Sequence, residues 1–298
     1  MDNEQKQLYS NTVATWIEAV KRVPGWLEDD VSSVLNLSDN LEVTMPNYVV
    51  AGNFKLSDLR GPNWLFTNPT TDISVFTNGA AKCNLNRFCR SLDESYNELQ
   101  SGHHDFVDVD LFLERSIRRL IDLHPGARHQ IDLKTMGAIR TRGYATNVPS
   151  SVDVQLQFTA AAKSIIYSFT IPVHTVCPFM LFEADGHSHT QRTYLTASIQ
   201  LPYNVSFQSL NSILACVLER FQVAQSSMKI PDEAIHVLRA YTVPSYTEDG
   251  LRRLLTVLRD TKHEWCSRPN QEYNTTLKVQ SLESIFTCDI MAKGNYVV

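Results

Sequence analysis

The strongest constraint on the fold is a pattern that occurs twice: two strand-like segments, two helix-like segments, then two more strand-like segments. In the first round, LEVTMPNYVVA (41–51) and TDISVFTNG (71–79) are rich in β-branched residues and lead into turn residues. NRFCRSLDESYNEL (86–99) and VDVDLFLERSIRRLIDL (107–123) read as helices. In the second of these, Leu111, Leu113, Ile117, Leu120 and Ile121 are expected to form the apolar face. HQIDLKTMG (129–137) and SVDVQLQFTA (151–160) return to strand. The second round runs SIIYSFTIPV (164–173) and RTYLTASIQL (192–201), then the helices SLNSILACVLERFQ (209–222) and DGLRRLLTVLRDTKHEW (249–265), then TTLKVQSL (275–282) and SIFTCDIMA (284–292). The expectation is an α+β chain of tandem ββααββ units, each an antiparallel four-stranded sheet with a helix pair on one face. Such sheets leave open edges, and assembly of several subunits into a barrel would close them.

Residues 8–35 read as two short amphipathic helices, with Trp16, Ile17, Val20 and Val23 at helical spacing and a break at Pro24–Gly25. Residues 1–40 are therefore expected to be a helical extension on a main body spanning 41–298. A chain of 298 residues, 43% hydrophobic, can bury a sizeable core. Its net charge of -5 argues against a nucleic-acid-coating role, which needs a basic excess. No apolar run approaches the roughly 20 residues of a membrane span, and the polar N-terminus lacks a signal-peptide core, so a cytoplasmic protein is expected. The six cysteines form no CxxC pair and are expected to be mostly free and buried.

The chemistry concentrates in IPVHTVCPFMLFEADGHSHTQRTYLTASI, residues 171–199. Cys177 follows a strand and precedes the turn marker Pro178, and His189 stands twelve positions later, just before the next strand. A cysteine and a histidine on either side of a hairpin-like connection can converge on one ion. Thiolate, imidazole and a carboxylate together suit a divalent metal such as Zn, Fe or Mn with one position left for water. A buried cysteine and a surface histidine is the plainer alternative on spacing alone.

This segment resembles the type IB GTP cyclohydrolases, whose pattern here is roughly IPVTSLCPCSK followed by GAHNQRSH. The chain has IPVHTVCPF and then DGHSHTQRTY, with Gln191 and Arg192 in register behind His189. The family's RPDEKYVTEKAYENP corresponds to IPDEAIHVLRAYTVPSYTEDG, which places Glu233 on the carboxylate metal ligand and Glu248 on the following acidic residue. The family's FESIHNH corresponds to LESIFTC, so Glu283 matches the glutamate that reads the guanine base. Its HMSRF corresponds to NLNRF, which retains Arg87 and Phe88. The resemblance covers roughly residues 46–298.

The resemblance implies the tunnelling fold in a homodimer or homotetramer, and a metal held by Cys177, His189 and Glu233. It implies attack of metal-activated water on the imidazole ring of GTP or a related purine nucleotide, with formate release and a pterin-type product. Glu283 would bind guanine through paired hydrogen bonds. Arg87, Arg140, Arg142 and Arg192 are the cations expected to meet the triphosphate, with Gln191 beside them.

Four positions depart from the family pattern. Phe179 replaces the second cysteine, Asn84 replaces the histidine of HMSRF, and Phe286 and Cys288 replace the two C-terminal histidines. Phenylalanine cannot move protons during ring opening. His236, three positions after Glu233, and Cys288 are candidates to supply that function, and His187 could compete with His189 as a ligand. A related fold member with different heterocycle chemistry, or a non-catalytic ligand-binding homologue, stays open at this point.

Overall fold

The computed structural model describes residues 41–56, 64–77, 85–101, 105–142, 147–176, 190–223, 247–282 and 289–298. The extension 1–40, with its two expected helices, lies outside the described residues. Strands β1 (Leu41–Val49), β4 (Thr70–Thr77), β6 (Arg128–Arg142), β7 (Pro149–Ala160), β8 (Ser164–Val176), β9 (Thr190–Pro202), β11 (Asn274–Leu282) and β12 (Ile290–Val297) lie side by side in that order, every neighbour antiparallel. A two-residue strand, β10 (Gln222–Val223), pairs with β8 at Val173–His174. Strands β3 (Trp64–Thr67), β2 (Asn53–Leu56) and β5 (Val107–Asp108) make a separate three-stranded sheet. Among the described residues the helices are α1 (Leu85–Gln100), α2 (Val109–Leu123), α3 (Leu210–Arg220), α4 (Thr247–Asp260) and α5 (Lys262–Trp265).

This corrects the expected tandem ββααββ tunnelling-fold architecture. The strands do not divide into two four-stranded sheets. β7 and β8 pair directly, from Gln155 opposite Thr170 to Ala160 opposite Ile165, and the result is one continuous nine-stranded sheet. The physical reason is the tight turn between them, closed by the Ala161 amide donating to the Ser164 carbonyl at 2.9 Å. That turn lets the two inner strands satisfy each other's backbone groups where separate sheets would leave two more edges open. The strands β2, β3 and β5 were not expected, because two to four residues are too short to show an alternation. The last strand lies at Ile290–Val297, later than the expected 284–292, and the helix expected over 249–265 is broken at Thr261.

The helices form because their apolar residues recur every three or four positions. α1 buries Phe88, Leu92 and Tyr96, and α2 buries Val109, Phe112, Leu113, Ile117 and Leu120. Leu111, expected on the apolar face, is 47% exposed, since Phe112 and Val109 set the buried stripe. α3 starts at the N-cap Ser209, whose side chain accepts from the Ser212 amide at 3.1 Å.

Strand alternation gives the large sheet two different faces. On the helix-covered face lie Ile131, Leu133, Val154, Phe169, Ile171, Leu195, Ala197, Leu277 and Val279, all buried. The opposite face is a ladder of polar pairs. Ser168 donates to Ser198 at 2.8 Å, Thr170 and Thr196 share a bond at 2.9 Å, and Asp132 accepts from Gln130, Gln157 and Thr159. Gly137 on β6 lets Trp64 of the small sheet seat against the large one, because a Cβ there would fall 2.2 Å from the indole ring.

Two buried histidines give the fold a pH response. His124 ends α2 and His129 opens β6, with their rings 6.2 Å apart and both side chains almost fully buried. Burial pushes both imidazoles below their ordinary value, with the Arg87 charge adding to the shift of His124 and the His124 charge adding to that of His129. A depressed histidine stays neutral in the folded chain while the unfolded chain takes up its proton, so this stability is present above about pH 6.5 and is lost as pH falls below it. The expected outcome is a melting temperature that drops between pH 7.5 and pH 5. The drop should be smaller in a His124→Gln, His129→Gln double variant. An identical pH slope in the two proteins would refute the assignment.

Candidate active site

Antiparallel pairing brings six strand termini to one end of the large sheet. β6 ends there at Arg142, paired with Pro149 at the start of β7. β8 ends at Val176, the register partner of Thr190 at the start of β9. β11 ends at Leu282, opposite Arg192. β12 begins beside it, with Ile290 opposite Ser281. The start of α4 stands over the same end of β11, since a Cβ on Gly250 would lie 3.3 Å from a Val279 methyl.

Just inside these termini, on the helix-covered face, three buried hydroxyls form a chain across β8, β9 and β11. Thr175 and Thr193 are joined at 2.7 Å, and Thr193 and Ser281 at 2.7 Å. Gln191 is buried beside them at 4% exposure. A hydroxyl is both donor and acceptor, so such a chain locks the three strand ends in one register and holds polar groups in a dry environment. The sequence reading missed these hydroxyls. The available signal was period two: Thr175 stands two residues before Cys177, and Ser281 two before Glu283.

The expected site residues divide into three groups. Gln191, Arg192, Arg140, Arg142 and Glu248 lie at this end of the sheet. Arg192 is exposed on the polar face, with His174 opposite it on β8. Arg140 and Arg142 are exposed near the end of β6, and Arg142 donates from Nη1 to the Asn147 carbonyl at 3.0 Å. Asn147 has a φ of 58°, the left-handed conformation that asparagine tolerates in tight turns. Glu248 is exposed in the first turn of α4 and accepts from the Thr247 hydroxyl at 3.2 Å. Arg87 is elsewhere: its Nη1 donates to the Leu123 carbonyl at 3.0 Å, at the end of α2 and thus near the opposite end of β6. Cys177, His189, Glu233, His236, Glu283 and Cys288 lie outside the described residues, as do His187, Phe179, Phe286 and Asn84. Among the described residues no group of three His, Cys, Asp or Glu side chains is placed to hold a metal ion. No described helix is long and apolar enough to cross a membrane.

Comparison with known proteins adds the decisive observation. The family model for type I GTP cyclohydrolase FolE2 matches residues 65–292. The chain belongs to this family. GTP cyclohydrolase FolE2 of Aromatoleum aromaticum (strain DSM 19018 / LMG 30748 / EbN1) is 24% identical over 201 residues, which is 64% of this chain and 71% of that protein. The protein of the same name from Caldicellulosiruptor bescii is 28% identical over 152 residues, 49% of this chain and 54% of that one. That from Thermotoga maritima is 28% identical over 149 residues, 47% and 53% respectively. The chain therefore spans about half the length of the last two. The FolE2 match runs from β3 to β12 and so includes every strand terminus at the candidate site.

Proposed function

We infer that this FolE2-family chain is a GTP cyclohydrolase that opens the imidazole ring of GTP and releases formate. The observation that carries the inference is the family match over 65–292, which takes in the sheet end where β8, β9 and β11 terminate side by side. Cys177 follows Val176, His189 precedes Thr190 and Glu283 follows Leu282 in the chain, so all three adjoin described termini that are hydrogen-bonded neighbours.

In this reading Cys177, His189 and Glu233 hold one divalent ion, a donor set that suits Zn, Fe or Mn. When bound, the ion lowers the pKa of water and makes hydroxide available at neutral pH. The Glu283 carboxylate would accept from the guanine N1–H and 2-amino groups and select that base. Arg192 at the start of β9 and Arg140 and Arg142 near the end of β6 are the cations that meet phosphate oxygens. Glu248, His236 and Cys288 are the groups available to move protons, among them the one that the ring nitrogen takes up as its bond to the formate carbon breaks. The ladder Thr175–Thr193–Ser281 keeps the ends of β8, β9 and β11 in register. Among the described residues β1 and β12 each have one partner in the large sheet, and a homo-oligomer that covers them is the assembly we propose.

The test is direct. Purified under anaerobic conditions and loaded with Zn, Fe or Mn, the protein should release one formate per GTP consumed. A chelator should stop the reaction and added metal should restore it, while ATP should yield no formate. Formate without a pterin chromophore would show that the reaction ends after formate loss, before the ribose rearranges and the second ring closes. Metal-loaded protein that leaves GTP intact would overturn the assignment.

A further inference from the structure

The row of hydroxyls at the ends of β8, β9 and β11 has a direction. Thr193 is the register partner of Val173 on one side and of Ser281 on the other. Thr175 stands opposite Gln191, one step nearer the end of the sheet. The bonded hydroxyls therefore start at Ser281, cross to Thr193 and rise diagonally to Thr175. All three side chains are buried, that of Thr193 completely. One step inward the same face carries Ile171, Leu195 and Val279, buried and apolar. Valine suits a strand as well as threonine does, so strand formation does not call for hydroxyls at the level where the face turns polar.

The protons of the row can be counted. Each hydroxyl has one O–H to donate, and two bonds join the three groups, so one O–H is left over at an end of the row. Among the described residues none of the three hydroxyls has a further partner. At the Ser281 end the register partner on β12 is Ile290, whose side chain accepts nothing. At the Thr175 end the neighbour is the buried carboxamide residue Gln191, and beyond it lies the end of the sheet. A buried O–H without an acceptor is costly, so the row is set to donate outward from Thr175.

We propose that Thr193 is a positioning residue for the cyclohydrolase reaction: as the hub of the row, it turns the spare O–H of Thr175 toward the end of the sheet. A donor fixed in that direction in a dry environment stabilises negative charge that builds up during ring opening. Thr193 touches no substrate and acts through Thr175. No proton changes hands within the row. Each hydroxyl keeps its own, and only the direction of donation matters. The inference rests on the cyclohydrolase reading and adds to it a residue outside the expected site set.

The test is steady-state formate release from GTP by the metal-loaded full chain, with bound metal measured alongside. Loss of a donor aimed straight at the reacting atoms costs about 10²–10³ in kcat, and Thr193→Val, one bond removed from that donor, should cost about tenfold. KM for GTP should stay within about twofold, because the interaction lost is one made in the transition state. Thr193→Ser keeps the hydroxyl and should return kcat to within about twofold of native. Ile199→Val is the control: it opens a small void in the core under the same strand, away from the row, and should lower the melting temperature while kcat stays native. Metal content should be the same in all four proteins. A native kcat in Thr193→Val, no recovery in Thr193→Ser, an equal fall in Ile199→Val, or metal lost from Thr193→Val would each overturn the inference and leave the cyclohydrolase reading standing. A native chain that releases no formate would overturn that reading, and this inference with it. If Thr193→Val does not fold, Thr175→Val takes its place: it removes the outward O–H itself and must lower kcat at least as far.

Discussion

Cys177→Ala should abolish metal retention and cut formate release from GTP by more than about a hundredfold. Loss of a residue that merely orients a metal ligand already costs about 10- to 100-fold in affinity or activity, and loss of the ligand itself removes a charged donor that the other two cannot replace. The circular dichroism spectrum of the variant should match that of the native chain, which separates loss of metal from loss of fold. Metal content by atomic absorption and formate by a coupled dehydrogenase assay measure the two effects. Cys216→Ala is the control. Cys216 is a half-buried cysteine on α3, in no disulfide, and its loss should leave both readouts nearly unchanged. Equal activity of the two variants would remove Cys177 from the site and with it the metal set proposed above.

The largest effect on stability is expected at Trp265. Its side chain is fully buried, its Nε1 donates to the Leu258 carbonyl at 3.0 Å, and its ring stacks on Phe207 at 6.1 Å. Its carbonyl also accepts from the Gln208 amide at 2.8 Å, which pins the loop before α3 to the end of α5. Trp265→Ala leaves an indole-sized void and an orphaned carbonyl, and should cost about 3–5 kcal/mol. Domains commonly hold about 5–15 kcal/mol in all, so much of the variant should be unfolded at 37 °C. Urea unfolding followed by circular dichroism gives the midpoint. A loss below about 1 kcal/mol would mean that the Phe207–Trp265 contact is not part of the load-carrying core.

The strand and helix segments were legible because their signals are local. Period-two alternation in SVDVQLQFTA and RTYLTASIQL, and three- and four-residue spacing in NRFCRSLDESYNEL, each arise within one segment and survive into β7, β9 and α1. What the segments pair with is not local. Nothing in QLQFTA and SIIYSF says that they bond to each other and merge the halves into one sheet. At the candidate active site, motif spacing was enough to nominate Gln191, Arg192, Arg140, Arg142 and Glu248, and the structure places them at one end of the sheet. The hydroxyls Thr175, Thr193 and Ser281 carry only the weak period-two signal, because threonine and serine are ordinary strand residues until three of them are seen to bond in a row.

The direct bonding of β7 to β8 has a consequence for how this protein can change over time. The order of strands and helices on either side of residue 162 invites the idea that either half could be swapped for a counterpart by recombination there. Here that junction is a zipper of main-chain bonds rather than a hinge, and Tyr203 from the second half clips it by donating to the Ala161 carbonyl at 2.6 Å. A chimera cut there would have to match twist, register and that clip together, so the two halves are bound to drift as a pair.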